Sequence, residues 1–428
     1  MKRFARPDAL WLAGILLVAF AVRLAWVLYA QVDPLDGRFA DTVVYHLIAA
    51  SMAEGGGYTS PYTLLPTALF PPGYISFLIP IYWAFGAHYE LAELANVFLG
   101  TASVGLLYVI ALQLFGVGPA RLAALLLAVF PGQVFFTSLI YSEPLYTLLM
   151  LAGLIVLIAA RRRSLDWRWV VLYGIVAGAA TMVRSSGAAM LVMGPLYLLL
   201  LTRDVRGAAR ATVLMAAGAA LLIGPWTVRN IITLDSPVVI TTAAGINLYQ
   251  GHHVGASGGD VSPAKLIYTY GLVNRAGGEV DVNNAGVKEA VHFAATHPLS
   301  EVALVGKKLR ELYAGDSGWL DLNEDYGHYP FIEPDLRDAL RTTADVYYFA
   351  LLAAAGLGVL RWSRERGAGP LLPVVVILVW SGAHVVTFGA PRYHVPVMPL
   401  FCLLAAYGLA WLPGLAAGAG RRANVVDS

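Results

Sequence analysis

Three carboxylates lie close together in the segment that follows the first apolar run of this 428-residue chain. Asp33, Asp36 and Asp41 precede residues 42–53, whose composition predicts a short helix with Asp41 at its N-cap. An aspartate at an N-cap stabilises a helix by about 1 kcal/mol and holds its carboxylate at the helix start. A carboxylate held in this way can act as a general base that takes a proton from a hydroxyl group. We therefore expect Asp41 to take part in chemistry, inside a cavity that the rest of the chain forms.

The elements that position this carboxylate are built for a lipid bilayer. Hydrophobic residues make up 58% of the chain and charged residues only 13%, about half the charge of a typical soluble domain. Apolar runs long enough to cross a hydrocarbon core of about 30 Å recur along most of the sequence. We predict an all-α integral membrane protein with one polytopic domain over residues 1–428. Its expected partner is the lipid bilayer, and no nucleic acid is expected to bind. About ten spans are predicted: 9–30, 91–114, 120–138, 141–160, 168–184, 187–203, 210–229, 344–361, 370–389 and 393–412.

Clusters of lysine and arginine predict the orientation of these spans. With ten spans, all the clusters fall on one side, which the positive-inside rule assigns to the cytoplasm. The clusters are Lys2, Arg3 and Arg6; Arg161, Arg162 and Arg163; Arg203, Arg206 and Arg210; Arg361, Arg364 and Arg366; and Arg421 and Arg422. The expected location is the inner (plasma) membrane, with both termini cytoplasmic. Two long segments, 31–90 and 230–343, are then extracytoplasmic loops, and the first of them carries Asp41.

Arginines at the outer ends of predicted spans are exceptions to this charge pattern. Arg184, Arg229 and Arg392 occupy such places. A cation near the membrane on the disfavoured side suggests a bound anion, although snorkelling to lipid headgroups is an alternative. We expect the three arginines to bind a phosphate, with Lys307 and Lys308 of the second loop as the next candidates. Further residues expected to line the cavity are Tyr45, His46, Tyr74, Glu143 and His394.

Several short motifs occur in a fixed order along the chain. They are Asp41, Tyr45 and Ala49 with Gly55–Gly57; Pro71–Tyr74; Ser142 and Glu143; Pro225–Asn230; Gly245–Gly259; and Arg392–Pro399. In this order they resemble the polyprenyl-phosphate-sugar-dependent glycosyltransferases of GT-C fold. That superfamily includes the protein O-mannosyltransferases and the aminoarabinose transferases, and is similar to glycosyltransferase family 39.

The resemblance implies a GT-C helical bundle and a sugar-transfer reaction. The donor would be a sugar on a polyprenyl phosphate, and the acceptor an unknown hydroxyl on a lipid, a glycan or a protein. The family's catalytic aspartate in the first outer loop matches Asp41, and the reaction would invert the anomeric carbon. Thr42 stands where many members have a second acid, and Phe70 where the aminoarabinose enzymes have a lysine. Phosphate binding is thereby left to arginines, backbone groups or a metal.

Two other kinds of protein fit some of these features. A transporter or flippase of lipid-linked sugars would also bind phosphate through outer arginines, but it predicts internal repeats and midplane acids. A polymerase or ligase of lipid-linked sugars would use a diphosphate-linked donor. The cofactor question stays open as well. Asp41 and Glu143 could share a divalent metal ion, but two acids are too few to define such a site.

Overall fold

The computed structural model describes residues 6–30, 32, 41–260, 278–325 and 331–412, and within these ranges the chain is largely helical. We number the α-helices in chain order. They are α1 Arg6–Ala30, α2 Asp41–Ala53, α3 Pro72–Phe85, α4 Tyr89–Phe115, α5 Val117–Ala128, α6 Pro131–Phe135, α7 Glu143–Arg162, α8 Trp167–Val183, α9 Met190–Thr202, α10 Val205–Leu234, α11 Ala243–Gly251, α12 Gly278–Thr296, α13 Pro298–Leu312, α14 Gly318–Asp325, α15 Pro334–Glu365, α16 Leu371–Val385 and α17 Met398–Leu409. Short 3₁₀ helices are Phe136–Ser138, Ser185–Ala189, Pro391–Tyr393 and Val395–Val397.

The membrane character of the fold is confirmed, whereas the count of about ten spans is not. In the described ranges, six helices are long and apolar enough to cross a membrane, and a seventh crossing results if the bent pair 117–128 and 131–138 counts as one. α3, α8 and α16 are shorter apolar helices. Each of the ten predicted segments overlaps a helix, because hydropathy marks the apolar segments well, but several of these helices are shorter than a full crossing requires.

Small residues let the central helices approach each other closely. α8 packs against both α7 and α10. A Cβ atom added at Gly174 on α8 would lie 2.1 Å from the backbone oxygen of Met215 on α10. Membrane helices commonly use glycine in this way, because lipid offers no hydrophobic force to bring helices together. The close approach fixes the position of the end of α8, where Arg184 follows.

Helices α7 and α8 connect two opposite ends of the bundle. α7 begins at Glu143 and ends at Arg162, and its 20 residues give a length of about 30 Å. α8 returns in the opposite sense and ends at Val183. The arginine cluster Arg161–Arg163 therefore lies a full helix length from Glu143. Of the remaining cluster residues, 2–3 and 421–422 lie outside the described residues, as do the acids Asp33 and Asp36.

The second long loop is largely helical where it is described. α11, α12, α13 and α14 belong to it. Its attachment to the first loop is polar. Glu279 of α12 accepts hydrogen bonds from Thr67 Oγ1 at 2.6 Å and from the backbone nitrogen of Ala68 at 2.7 Å. The two loops are thus joined beside the segment that leads into α3.

Candidate active site

A cavity of about 510 Å³ lies where the two long loops meet the ends of α7, α8 and α16. Its lining residues come from segments far apart in sequence. They are Asp41, Tyr45, Leu69, Phe70, Pro71, Ser142, Val183, Arg184, Ser185, Ser186, Thr241, Ala243, Ala244, Ile246, Asn247, Leu248, Gln250, Asp260, Ala383, His384, Thr387, Phe388, Arg392 and Tyr393. Three of the residues singled out in the sequence for catalysis or phosphate binding, Asp41, Arg184 and Arg392, share this cavity.

Asp41 and Arg392 form an ion pair in the cavity wall. Arg392 Nη2 donates a hydrogen bond to Asp41 Oδ2 at 2.6 Å, and both side chains keep about a quarter of their surface exposed, 25% for Asp41 and 28% for Arg392. Asp41 lies in the first turn of α2. Both charged groups therefore remain accessible to a ligand in the cavity.

Glu143 connects the two cavity arginines from behind. Its side chain is fully buried, and Oε1 accepts a hydrogen bond from Arg392 Nε at 3.2 Å and an ion pair from Arg184 Nη1. Arg184 Nη1 also donates to Ser142 Oγ at 3.1 Å. Two carboxylates and two guanidiniums thus compensate one another. Charge compensation of this kind is required, because an unpaired buried charge is strongly destabilising.

Local backbone features hold the two arginines in place. Arg184 is the C-cap of α8; its backbone is extended and it precedes a 3₁₀ turn. The turn folds back onto α8 so closely that a Cβ atom at Gly187 would lie 2.6 Å from the backbone of Ala180. Arg392 lies in the 3₁₀ helix Pro391–Tyr393, and the carbonyl of Tyr393 accepts a hydrogen bond from Trp380 Nε1 at 2.6 Å.

Burial and the neighbouring charges shift the pKa values of two residues of the site, Arg392 and Asp260. Desolvation lowers the pKa of Arg392, but the carboxylates of Asp41 and Glu143 outweigh it and hold that pKa well above the ordinary value, so the guanidinium stays charged. Asp260 lies across the cavity and accepts a hydrogen bond from Gln250 Nε2 at 2.7 Å. Desolvation raises the pKa of Asp260, while the nearby Arg392 acts in the opposite direction.

Arg229 lies outside the cavity lining, in contrast to the sequence-based expectation of a phosphate contact. Its Nη1 donates to the carbonyl of Thr67 at 2.7 Å and its Nη2 to the carbonyl of Tyr58 at 3.0 Å. The guanidinium also lies 4.9 Å from the ring centre of Trp226. Backbone carbonyls need hydrogen-bond donors, and the carbonyls of Thr67 and Tyr58 bind the guanidinium of Arg229. The guanidinium is therefore not placed beside Asp41.

The remaining predicted residues divide between the cavity and the surrounding core. Tyr45 lines the cavity, and Glu143 lies directly behind it. Four others are buried elsewhere in hydrogen-bonded positions, and Lys307 is not part of the lining. The buried four are His46, bonded to Tyr82; Tyr74, bonded to Asn96; His394, bonded to Leu312 and Asp316; and Lys308, bonded to His252 and Val385.

One ionisable cavity residue, Asp260, has no counterpart among the sequence-based candidates. His384 stands at the end of α16, and Asp260 follows the Gly-rich part of the second loop. His384 flanks the last outer turn together with His394, a position from which the sequence suggests a contact with the lipid phosphate for both residues. Asp260 carries no such signal, because its neighbours in sequence are typical loop residues.

The carboxylates of the cavity do not fit a divalent metal site in this arrangement. A guanidinium lies between Asp41 and Glu143 and bonds to both. Among the residues that the structure describes, no group of three or more His, Cys, Asp or Glu side chains converges on a point. Calcium takes six to eight oxygen ligands, and magnesium needs one or two carboxylates free to bind it, whereas the carboxylates of Asp41 and Glu143 are both paired with Arg392.

Comparison with known proteins supports the same fold. Residues 71–228 match the family model described as Dolichyl-phosphate-mannose-protein mannosyltransferase. The oligosaccharyltransferase of Archaeoglobus fulgidus, solved with a tethered acceptor peptide containing the NVT sequon, is 14% identical and superposes with a TM-score of 0.53, over 94% of this chain and 49% of its own. The same archaeal enzyme, AglB, in complex with an inhibitory peptide and a dolichol-phosphate, is 16% identical with a TM-score of 0.53, over 95% and 51% of the two chains.

A further solved structure is similar to the chain, whereas no curated protein sequence matches the chain. ArnT from Cupriavidus metallidurans, bound to undecaprenyl phosphate, is 19% identical over 91% of this chain and 77% of its own, but a TM-score of 0.42 is too low to support an argument. The chain spans about half the length of the archaeal oligosaccharyltransferase. The family match over residues 71–228 and the shared architecture confirm the resemblance, and the chain has the fold of the GT-C membrane glycosyltransferases.

Proposed function

We propose that this protein is a membrane glycosyltransferase that moves a sugar from a polyprenyl-phosphate donor to an acceptor hydroxyl. One observation carries the proposal: Asp41 and Arg392 stand 2.6 Å apart in the wall of a cavity that also contains Arg184. A base and a pair of cations are the two requirements of such a transfer, one for the acceptor proton and one for the leaving phosphate.

The reaction is a single displacement. The acceptor oxygen attacks the anomeric carbon, the bond from that carbon to the phosphate oxygen breaks, and the hydroxyl proton passes to the carboxylate of Asp41. The departing polyprenyl phosphate keeps the bonding electrons, and its added negative charge is stabilised by Arg392 and Arg184. One displacement inverts the anomeric configuration.

The proposed donor agrees with the comparisons and with the size of the site. The archaeal enzyme of the same fold was solved with a dolichol-phosphate, a lipid of the polyprenyl-phosphate class. A cavity of about 510 Å³ falls within the common range for small-molecule sites, about 300–1,000 Å³, and can hold a sugar phosphate head group. Polar side chains suited to sugar hydroxyls also line the cavity: Thr241, Asn247, Gln250 and Asp260.

The cavity is proposed to face the extracytoplasmic side of the inner membrane. Arg161–Arg163 lies a helix length from Glu143, at the far end of α7. The positive-inside rule assigns that far end to the cytoplasm. The base, the arginines and the donor head group would then meet in the outer leaflet, with the two long loops 31–90 and 230–343 above them.

A direct test uses the purified full chain and a panel of polyprenyl-phosphate sugars with a mixed acceptor extract from cell envelopes. We expect one donor to release polyprenyl phosphate and to label an acceptor. If donors bind and cross the bilayer of proteoliposomes intact, without release of polyprenyl phosphate, the transporter alternative holds and the transferase proposal is wrong.

A further inference from the structure

His384 is a buried histidine whose ring lacks the hydrogen bonds that such residues normally make. Its side chain is 4% exposed and lines the cavity. Within the part of the chain that the structure describes, neither Nδ1 nor Nε2 has a hydrogen-bond partner. Most buried polar side chains in proteins are paired, so an unpaired one at a cavity wall points to a partner supplied from outside the chain.

Aromatic packing fixes the ring without using its nitrogens. His384 stacks on Tyr393 with ring centres 4.3 Å apart and an angle of 18°, and meets Trp380 edge to face at 4.8 Å. Trp380 in turn donates its indole N–H to the carbonyl of Tyr393. A phenylalanine could make the same ring contacts. The packing therefore accounts for a flat ring at this position but not for the imidazole nitrogens.

The surroundings of the ring select an anion as its partner. Arg184 and Arg392 line the same cavity, and each guanidinium lies over the ring of Tyr393, at 5.6 Å and 5.5 Å from the ring centre. Tyr393 is the residue on which His384 stacks. A third positive charge beside two guanidiniums is disfavoured. The imidazole is thus suited to act in its neutral form, which carries one N–H donor and one acceptor nitrogen.

Two charged residues of the site, Arg184 and Glu143, also carry side-chain atoms without a hydrogen-bond partner among the described residues. These atoms are Arg184 Nε and Glu143 Oε2, and both are buried. Arg184 Nε is an N–H donor on the guanidinium that already faces the cavity. Glu143 Oε2 is an acceptor, so the donors left unpaired in the described part of the chain are Arg184 Nε and the N–H of His384, which belong to two different helix ends and line the same cavity. An anion with several oxygen acceptors can engage both, as a phosphate does.

We infer that His384 donates a hydrogen bond to a phosphate oxygen of the lipid donor, next to the guanidiniums of Arg184 and Arg392. This inference rests on the proposed function, because it names a further binding residue of that site. His384 forms no bond with the reacting carbon and takes no proton in the transfer. It binds the phosphate in the ground state and as the leaving group develops charge.

The test measures binding of undecaprenyl phosphate, without a sugar, to the purified full chain, together with the melting temperature of each variant. His384→Phe keeps the ring contacts and removes both nitrogens. We expect its dissociation constant to rise about tenfold to a hundredfold, as for a lost hydrogen bond to a charged group. Its melting temperature should stay equal or increase, since replacing an unpaired buried polar group by an apolar one of the same shape is not destabilising.

His394→Phe is the matched control. His394 is fully buried, but its two nitrogens are paired with the carbonyl of Leu312 at 2.8 Å and with Asp316 Oδ1 at 3.1 Å, outside the cavity lining. We expect the opposite pattern for this variant, a lower melting temperature and an unchanged affinity. His384→Gln, which restores an N–H donor, should recover part of the affinity lost in His384→Phe.

Each other result has a definite meaning. If His384→Phe binds undecaprenyl phosphate like the parent, or unfolds as His394→Phe does, the inference is wrong. If it weakens only sugar-bearing donors, His384 contacts the sugar and the assignment to phosphate is wrong. A parent protein that binds undecaprenyl phosphate no better than undecaprenol contradicts the proposed function itself, which separates the two failures.

Discussion

Arg392 and Asp41 are 351 positions apart in the sequence, yet Arg392 Nη2 donates to Asp41 Oδ2 at 2.6 Å. The pair joins the start of α2 to the turn that precedes α17. A phosphate that binds Arg392 would compete with Asp41 for the same guanidinium. Under our proposal, arrival of the donor therefore loosens this pair and leaves the carboxylate available to accept a proton.

Arg392→Lys is expected to weaken donor binding by about 1.5–3 kcal/mol, as for a lost charged hydrogen bond. Lysine keeps the charge but cannot contact both Glu143 and a phosphate oxygen through a planar fork. The measurement is the dissociation constant for undecaprenyl phosphate. Arg229→Lys is the control: its guanidinium bonds to loop carbonyls outside the cavity, so stability should fall while affinity stays the same. The reverse pattern would place the phosphate at Arg229.

Glu143→Gln should strongly destabilise the protein. Glu143 is fully buried and is the shared counter-ion of Arg184 and Arg392. Loss of one partner from a buried ion pair costs about 3–5 kcal/mol. Thermal inactivation in detergent measures the effect. Glu311→Gln is the control, because Glu311 pairs at 3.4 Å with Arg310, which is 76% exposed, and such surface pairs contribute about 0–1 kcal/mol. Equal effects from both variants would contradict a central role for Glu143.

Chelation of divalent cations is expected to leave sugar transfer unchanged. Arg392 lies between Asp41 and Glu143 and supplies the positive charge that a metal ion would otherwise provide there. The rate of polyprenyl phosphate release should be the same in EDTA as in Mg²⁺ or Mn²⁺. A rate that falls on chelation and recovers with one of these ions would show that the carboxylates rearrange around a metal.

Labelling with an impermeant thiol reagent in intact cells tests the orientation. The native Cys402 is buried, so introduced cysteines can be read without background from an accessible thiol. Gly57→Cys and Val254→Cys, both at exposed positions of the two loops, should react, whereas Ser164→Cys should not. A cysteine should not be introduced at Gly258 of the second loop, because this glycine has φ +95° and an added Cβ atom would lie 2.7 Å from Cβ of Lys307. Labelling at Ser164 alone would reverse the orientation.

The segments of the fold follow from the sequence more closely than the walls of the site do. Long apolar runs mark helices such as α4 and α7 without any knowledge of packing. Which side of a helix end faces a cavity depends on neighbours that are remote in sequence. Arg229 shows this dependence, since loop carbonyls of Tyr58 and Thr67 draw its guanidinium away.

The two histidines near the last turn show the same limit. His384 and His394 stand ten positions apart around that turn, and the sequence alone suggests a phosphate contact for either of them. In the fold, His394 bonds to Asp316 in the core and His384 lines the cavity. Asp316 lies in the turn that precedes α14, and no local sequence pattern predicts that this turn packs against His394.

The most direct test of the account is the rate of polyprenyl phosphate release by the parent and by Asp41→Asn, with Asp260→Asn as a second carboxylate variant from the same cavity. Asparagine preserves the shape of the side chain at the start of α2, and Arg392 keeps its contact with Glu143, so folding and donor binding should remain. Loss of a positioned general base predicts a decrease of about 10²–10⁴-fold for Asp41→Asn. Near-parental release by Asp41→Asn, or a loss confined to Asp260→Asn, would contradict Asp41 as the base.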